Sequence, residues 1–411
     1  MIGLEMGFVS KRAASITRTV HLWWLVILPA ILSGCPSDGM FTEGDARHKN
    51  RSDVSYADGP GRTAIGVGRV VAGGTMTVGR AAHTATLLPD GRVLIAGGCT
   101  LDSCEMGDAG ASAELYDPRK GSFVRTARMD TERVSHTATL LPNGKVLLVG
   151  GWERDGVLAS AELYDPVAGD FSPTGTMTAP RAGHTATSLP DGKVLIAGGY
   201  DGDQSVASAE IYNPRTGLFM PTGGMATPRS AHAAALLPNG RILVTGGSDA
   251  QENIVASAEI YDSSTGEFLQ TDSMMVARYK HAATRLRKGG KVLILGGSNG
   301  EDFHGKYASA ELFDPDSGTF TTVDNMNAER FKLPDAVATL KSGEVLVGGD
   351  DERVELYDPA SKTFSTVRGS LGAARNFATV VPLPEGRALI AGGYDRNLHL
   401  TARTWLYLPE R

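Results

Sequence analysis

The sequence predicts an all-β chain folded as a seven-bladed β-propeller, and three observations carry that prediction. An apolar run ending in Gly-Gly recurs seven times: V-L-I-A-G-G at 93–98, V-L-L-V-G-G at 146–151, V-L-I-A-G-G at 194–199, I-L-V-T-G-G at 242–247, V-L-I-L-G-G at 292–297, E-V-L-V-G-G at 344–349 and A-L-I-A-G-G at 388–393. A spacing of 44 to 53 residues is the period of a repeat array. Each copy also holds four short strand signals, and the two ends of the array are complementary parts of one unit.

Within a copy the elements follow in a fixed order. An R-x-x-H segment leads into A-T-L-L, as in Arg80 to Leu88, and P-D-G or P-N-G then supplies a hairpin turn. The apolar run follows without polar alternation, which suits a strand covered on both faces. A loop of variable length leads to A-S-A-E-L-Y-D-P, and x-x-G-x-F opens a fourth strand. The last copy stops after T-W-L-Y-L-P at 404–409, while V-V-A-G-G-T-M-T-V-G-R at 70–80 matches the end of a fourth strand. Residues 66–76 are therefore expected to complete the blade begun at Arg375, which removes an exposed sheet edge.

Three segments precede or make up the array. Lys11, Arg12 and Arg18 stand before an apolar run from Leu22 to Leu32, too short to span a bilayer. The run ends in L-S-G-C at 32–35, which resembles a bacterial lipoprotein processing site and implies cleavage before Cys35 and lipidation of its thiol and amine. The competing reading is an ordinary secretion signal. Residues 1–35 are thus expected to be a signal peptide, 36–65 a polar tether and 66–411 the propeller. Lipidation would place the protein in a bacterial cell envelope, anchored to a membrane facing the periplasm or the cell surface.

The repeat unit resembles the kelch family, including the propeller of galactose-oxidase-like proteins, over residues 66 to 409. The marks are the Gly-Gly pair, the tyrosine on the next strand, and a following aromatic that is here phenylalanine at 123, 171, 219, 268, 320 and 364, where many kelch repeats have tryptophan. The resemblance implies a kelch-type propeller and raises copper-radical chemistry, which needs a cysteine cross-linked to tyrosine with further Tyr and His ligands. Here Cys99 and Cys104 share one loop, and Tyr279 before His281 is the nearest echo.

Residues present in nearly every copy are expected to be structural. Arginine recurs at 80, 133, 181, 229, 278, 330 and 375, and glutamate at 114, 162, 210, 259, 311 and 355, a pattern that points to Arg–Glu pairing between strands. The last copy has Trp405 at the glutamate position, which would leave Arg375 for another partner. His83, His136, His184, His232 and His281 share one position, replaced by Leu333 and Ala378 in the sixth and seventh copies. A metal ring is conceivable there, but ligands one blade apart are too distant to share an ion. Hydrogen bonds to a neighbouring blade's backbone are expected instead.

Function is expected on the face carrying the variable loops, since the uniform hairpins make the other face plain. The side chains singled out are Trp152, Asp155, Tyr200, Asp201, Asp203, Phe303, Tyr307, Asp351 and Tyr394: rings taken as exposed, among carboxylates. Such a surface suits a basic protein, a cation or a sugar. Cys99 and Cys104 are expected to form a disulfide, no histidine being near enough in sequence to make a metal site with them. A net charge of −6 with no basic run argues against a nucleic-acid partner. No nucleophile elbow, HExxH helix or Walker loop occurs. The expectation is a monomeric, non-catalytic module without cofactor or metal, binding a protein or glycan of the cell envelope. The alternative is a carbohydrate-active enzyme, oxidase or epimerase-like, lacking the usual copper-radical ligands.

Overall fold

The computed structural model describes residues 68–105, 107–300 and 305–410. The expected signal segment with Cys35, the expected tether 36–65 and Phe303 lie outside the described residues. The described chain forms seven four-stranded antiparallel sheets and one small hairpin, Trp152–Glu153 with Gly156–Val157. Each sheet is one blade, and the first strands neighbour one another around a ring, from Thr84–Leu87 in blade 1 to Thr379–Pro382 in blade 7.

The apolar runs are the second strands. All residues of Val93–Ala96, Val146–Val149, Val194–Ala197, Ile242–Thr245, Val292–Leu295, Val345–Val347 and Ala388–Ala391 are buried. They are covered on both faces because the core lies between blades. Leu94, Ala96 and Leu115 of blade 1, for example, pack on Leu148, Tyr164 and Phe171 of blade 2. The repeated phenylalanine meets the repeated tyrosine across adjacent strands, with centroids 4.8 Å apart at Tyr164–Phe171. The tyrosine hydroxyl reaches back to the preceding blade, at 3.0 Å from Thr126 Oγ1. One ring pair therefore fills a seam and ties it.

The ring closes as expected. Arg69–Thr75 pairs antiparallel with Arg403–Leu408, Val70 lying opposite Tyr407. The terminal strand is thus held by ladder hydrogen bonds, and blade 7 has no bare edge there.

The repeated arginine and glutamate form a staple inside each of blades 1 to 6. Arg133 donates to the carbonyls of Gly150 and Ser160, both at 3.0 Å, and to Glu162 Oε1 at 3.2 Å from Nε and 3.0 Å from Nη2. Glu162 Oε2 then accepts the backbone N–H of Asp130, on the segment leaving the preceding blade, at 2.8 Å. The equivalent ion pairs at Arg80–Glu114, Arg181–Glu210, Arg229–Glu259, Arg278–Glu311 and Arg330–Glu355 measure 2.8–3.2 Å. In blade 7 Trp405 replaces the glutamate, and the Arg375 guanidinium lies 5.3 Å from its ring centroid. Arg375 is therefore not left over for an outside partner; a cation–π contact takes the ion pair's place.

A hydrogen bond links each blade to the next through the second glycine, as from Gly98 N–H to Arg133 O at 2.8 Å. The pair must be glycine because both φ angles are positive and a Cβ on Gly98 would come within 2.5 Å of Ala81 O. Blade 6 breaks the pattern. There Val345 lies opposite Tyr357 as Val93 lies opposite Tyr116, so the register puts Gly349 at the first glycine's place and Asp350 at the second's. Asp350 holds φ +49° and donates to Arg375 O at 3.1 Å.

Candidate functional site

The loop face is organised by the segment between each repeated arginine and its first strand. The second residue after that arginine has positive φ in every blade: Ala82, Ser135, Gly183, Ala231, Lys280, Lys332 and Phe377. Backbone hydrogen bonds run around this ring, from Ser135 to Ala82, Gly183 to Ser135, Ala231 to Gly183 and Lys280 to Ala231, at 2.8–3.3 Å. These residues encircle the channel mouth. They are small in blades 1 to 4 and large in blades 5 to 7, although left-handed backbone disfavours large side chains.

The large residues form one cluster. The Lys280 ammonium lies 4.8 Å from the Tyr279 ring centroid and 5.3 Å from that of Phe331. Lys332 Nζ sits 4.8 Å from the Phe331 centroid and 5.7 Å from that of Phe377, and donates to the Tyr394 hydroxyl at 3.0 Å. Asp350 accepts from Lys306 Nζ at 2.8 Å and from the Phe331 N–H at 2.9 Å. Burial raises the Asp350 carboxyl above its ordinary range, and the Lys306 ammonium opposes that rise. Tyr394 is fully buried, so its place among the exposed rings is corrected: its hydroxyl is taken up by Lys332 and its ring packs towards Phe377. The cluster occupies the blade 5 to 7 side of the backbone ring. Its sequence signal was the dipeptide after each arginine, A-A, V-S, A-G and S-A in the first four copies but Y-K, F-K and N-F in the last three.

The remaining side chains occupy the rim. Trp152 and Tyr200, from the loops of blades 2 and 3, stack with centroids 5.5 Å apart and planes inclined by 27°. Backbone bridges to Val134 and Ala182 hold the backbone of both residues next to Ser135 and Gly183 of the backbone ring. Both are partly exposed, and Asp155 and Asp203 stand exposed on the same two loops. Asp201 closes its own loop, its Oδ1 accepting the N–H groups of Asp203 and Gln204 at 2.8 and 2.9 Å. Asp351 likewise accepts from Arg353 N–H and Nε at 2.9 and 3.1 Å. Tyr307 lies under the Arg278 guanidinium, 5.5 Å away, with its backbone bridged to Arg330. Among the described residues, Trp152 and Tyr200 are the proposed rings that are brought together. Cys99 and Cys104 form a disulfide, Cα–Cα 4.9 Å, which pins the blade 1 loop.

The histidines are structural, with one change in detail. Each Nε2 pairs with a threonine hydroxyl of the preceding blade rather than with backbone: His83 with Thr379, His136 with Thr84, His184 with Thr137, His232 with Thr185 and His281 with Thr245, at 2.9–3.1 Å. Burial, and then the adjacent arginine, push His136, His184 and His232 down to about 3. Among the described residues no group of three or more His, Cys, Asp or Glu is placed to hold a metal ion.

Two stretches match the kelch motif. They are residues 180–225 and 229–275, which are blades 3 and 4. A solved structure described as a novel fungal alcohol oxidase with catalytic diversity among the AA5 family, in complex with copper, is similar at a TM-score of 0.66. It is 16% identical, over 84% of this chain and 76% of that one, a likeness of fold alone. No curated protein matches the chain.

Proposed function

We propose that the chain is a non-catalytic binding propeller whose loop face captures a glycan or protein of the cell envelope, with Cys35 lipidated to hold it at a membrane. The stacked pair of Trp152 and Tyr200 is the observation that carries the reading. Two partly exposed rings stacked on each other across adjacent blades offer apolar surface at which a sugar's C–H face or an apolar side chain loses water. The carboxylates of Asp155 and Asp203 beside it accept hydrogen bonds from hydroxyl or ammonium groups.

Copper chemistry does not carry over from the alcohol oxidase. Cys99 and Cys104 bond to each other, so neither is available to a tyrosine, and the repeated histidines are spent on threonines between blades. Among the described residues the donor set does not fit the metal.

The double variant Trp152→Ala/Tyr200→Ala tests this surface. It is expected to fold normally and to lose at least tenfold in capture of envelope glycans or proteins on an array, compared with the parent. Equal capture by both would remove the assignment. Cys35→Ser tests the anchor by cell fractionation. The variant is expected to leave the membrane fraction for the soluble one, and retention at the membrane would overturn lipidation at Cys35.

A further inference from the structure

The face of uniform hairpins is not plain: four of its seven seams share a proline latch, and those between blades 5 and 6, 6 and 7, and 7 and 1 lack it. In four successive seams a hairpin proline packs on the glycine of the next hairpin: Pro89 on Gly144, Pro142 on Gly192, Pro190 on Gly240 and Pro238 on Gly290. Between blades 5 and 6 this latch is absent. Arg285 pairs with Val292 as Leu87 pairs with Val93, so Arg287 stands where blades 1 to 4 and 7 have proline, as Lys341 does in blade 6. Its counterpart Gly343 has nothing within 4 Å of where a Cβ would lie.

A cavity of about 1000 Å³ occupies the seam between blades 5 and 6. Its walls include Arg285, Arg287, Thr284 and Thr339, the prolines 238, 315 and 382, and Asp316. Arg287 Nε donates to Leu340 O at 2.7 Å, which fixes its guanidinium to the blade 6 wall. The hydroxyls of Thr284 and Thr339 meet at 2.9 Å across the seam. Arg285 and the adjacent Lys288 are exposed, and neither has an ion-pair partner among the described residues. Two arginines against one aspartate make the groove basic in a chain of net charge −6.

We propose that this groove binds an acidic glycan, a short oligosaccharide bearing carboxylate or phosphate groups. Arginine recognises both groups through paired N–H donors in a fixed fork. The cavity has the size of a small-ligand site. Threonine hydroxyls and proline rings suit the hydroxyls and C–H faces of sugars. An acidic peptide is disfavoured because no aromatic side chain lines the groove, and peptide grooves depend on such anchors or on side-chain pockets along a free sheet edge. The site lies on the face opposite Trp152 and Tyr200 and stands independently of the function proposed for them.

The test restores the repeat. Arg285→Leu with Arg287→Pro gives blade 5 the residues that blades 1, 2 and 4 carry at these positions, and Arg285→Gln with Arg287→Gln removes charge without touching the backbone. Binding of the full chain to fluorescent tetragalacturonate, its methyl ester, a phosphorylated mannopentaose and tetraglutamate is measured at low and high salt. At least one acidic oligosaccharide is expected to bind, the methyl ester not to, and both variants to lose tenfold or more at unchanged melting temperature. The carboxylate and phosphate probes separate the two acid sources, and binding should weaken with salt. Failure of both acidic sugars to bind, undiminished binding by the glutamine variant, or equal binding of tetraglutamate would overturn the proposal. The Trp152/Tyr200 variant should bind these probes like the parent, so the two sites fail separately.

Discussion

Replacing Glu162 with alanine is expected to lower stability by about 3–5 kcal/mol, because it strands a buried charge. The Arg133 side chain is fully buried and that of Glu162 is 3% exposed, so water cannot take over the lost contacts. The same change removes the acceptor for the N–H groups of Asp130 and Thr131 on the segment entering blade 2. Urea unfolding measures the loss. Removing both partners, Arg133→Met with Glu162→Leu, should cost less than the single change, although the carbonyls of Gly150 and Ser160 then lose their donor. Blade 7 supplies the comparison: among the described residues Arg375 meets the Trp405 ring and the Leu371 carbonyl but no carboxylate partner, so Trp405→Leu should cost less than Glu162→Ala. A loss below about 1 kcal/mol for Glu162→Ala would mean that the staple does not hold the blade.

The regular part of the molecule was legible because each blade solves the same packing problem with the same residues. The seven apolar runs, the Tyr–Phe pairs and the arginine staples all follow from needs every blade shares, and repetition makes such needs visible. Ring closure by Arg69–Thr75 was legible for the same reason, as a fragment matching other fourth strands. Departures from the repeat were harder to read. Gly348-Gly349 looks like the other pairs, yet the register places Asp350 at the second position, since pairing follows the strand and not the letters. Tyr394 resembled Tyr200 in sequence, both following a Gly-Gly pair, but only Tyr394 has Lys332 from the neighbouring blade bonded to its hydroxyl. The basic seam hid in a hairpin taken as uniform. Arg287 at a proline position was the available clue, and its meaning depended on knowing that those prolines pack on the next hairpin's glycine.

Acidification from pH 7 to pH 5 is expected to destabilise the propeller steeply. His83, His136, His184, His232 and His281 are buried and their folded-state values lie far below 6.5, at about 3 for His136, His184 and His232, with burial as the main cause. In the unfolded chain these side chains take up protons below about pH 6.5, whereas in the fold they do not. The unfolded state therefore binds more protons, and stability falls as pH drops from about 6.5 towards 3. His136, His184 and His232 each cost about 2 kcal/mol at pH 5, and His83 and His281 act in the same direction, against about 5–15 kcal/mol for an ordinary domain. Asp335 acts in the opposite sense. Its carboxyl is raised to about 6 by the protein around it, so protonation on acidification favours the fold, though its solvent-reachable surface tempers the effect. Thermal melts from pH 7.5 to 4.5 should show the midpoint falling most steeply below pH 6.5. His184→Leu, which copies the Leu333 that blade 6 carries at this position, should remove about 1.4 kcal/mol per pH unit from the slope. A midpoint unchanged between pH 7 and pH 5, or an unaltered slope in that variant, would show that the native fold protonates these rings and that the seams open to let them.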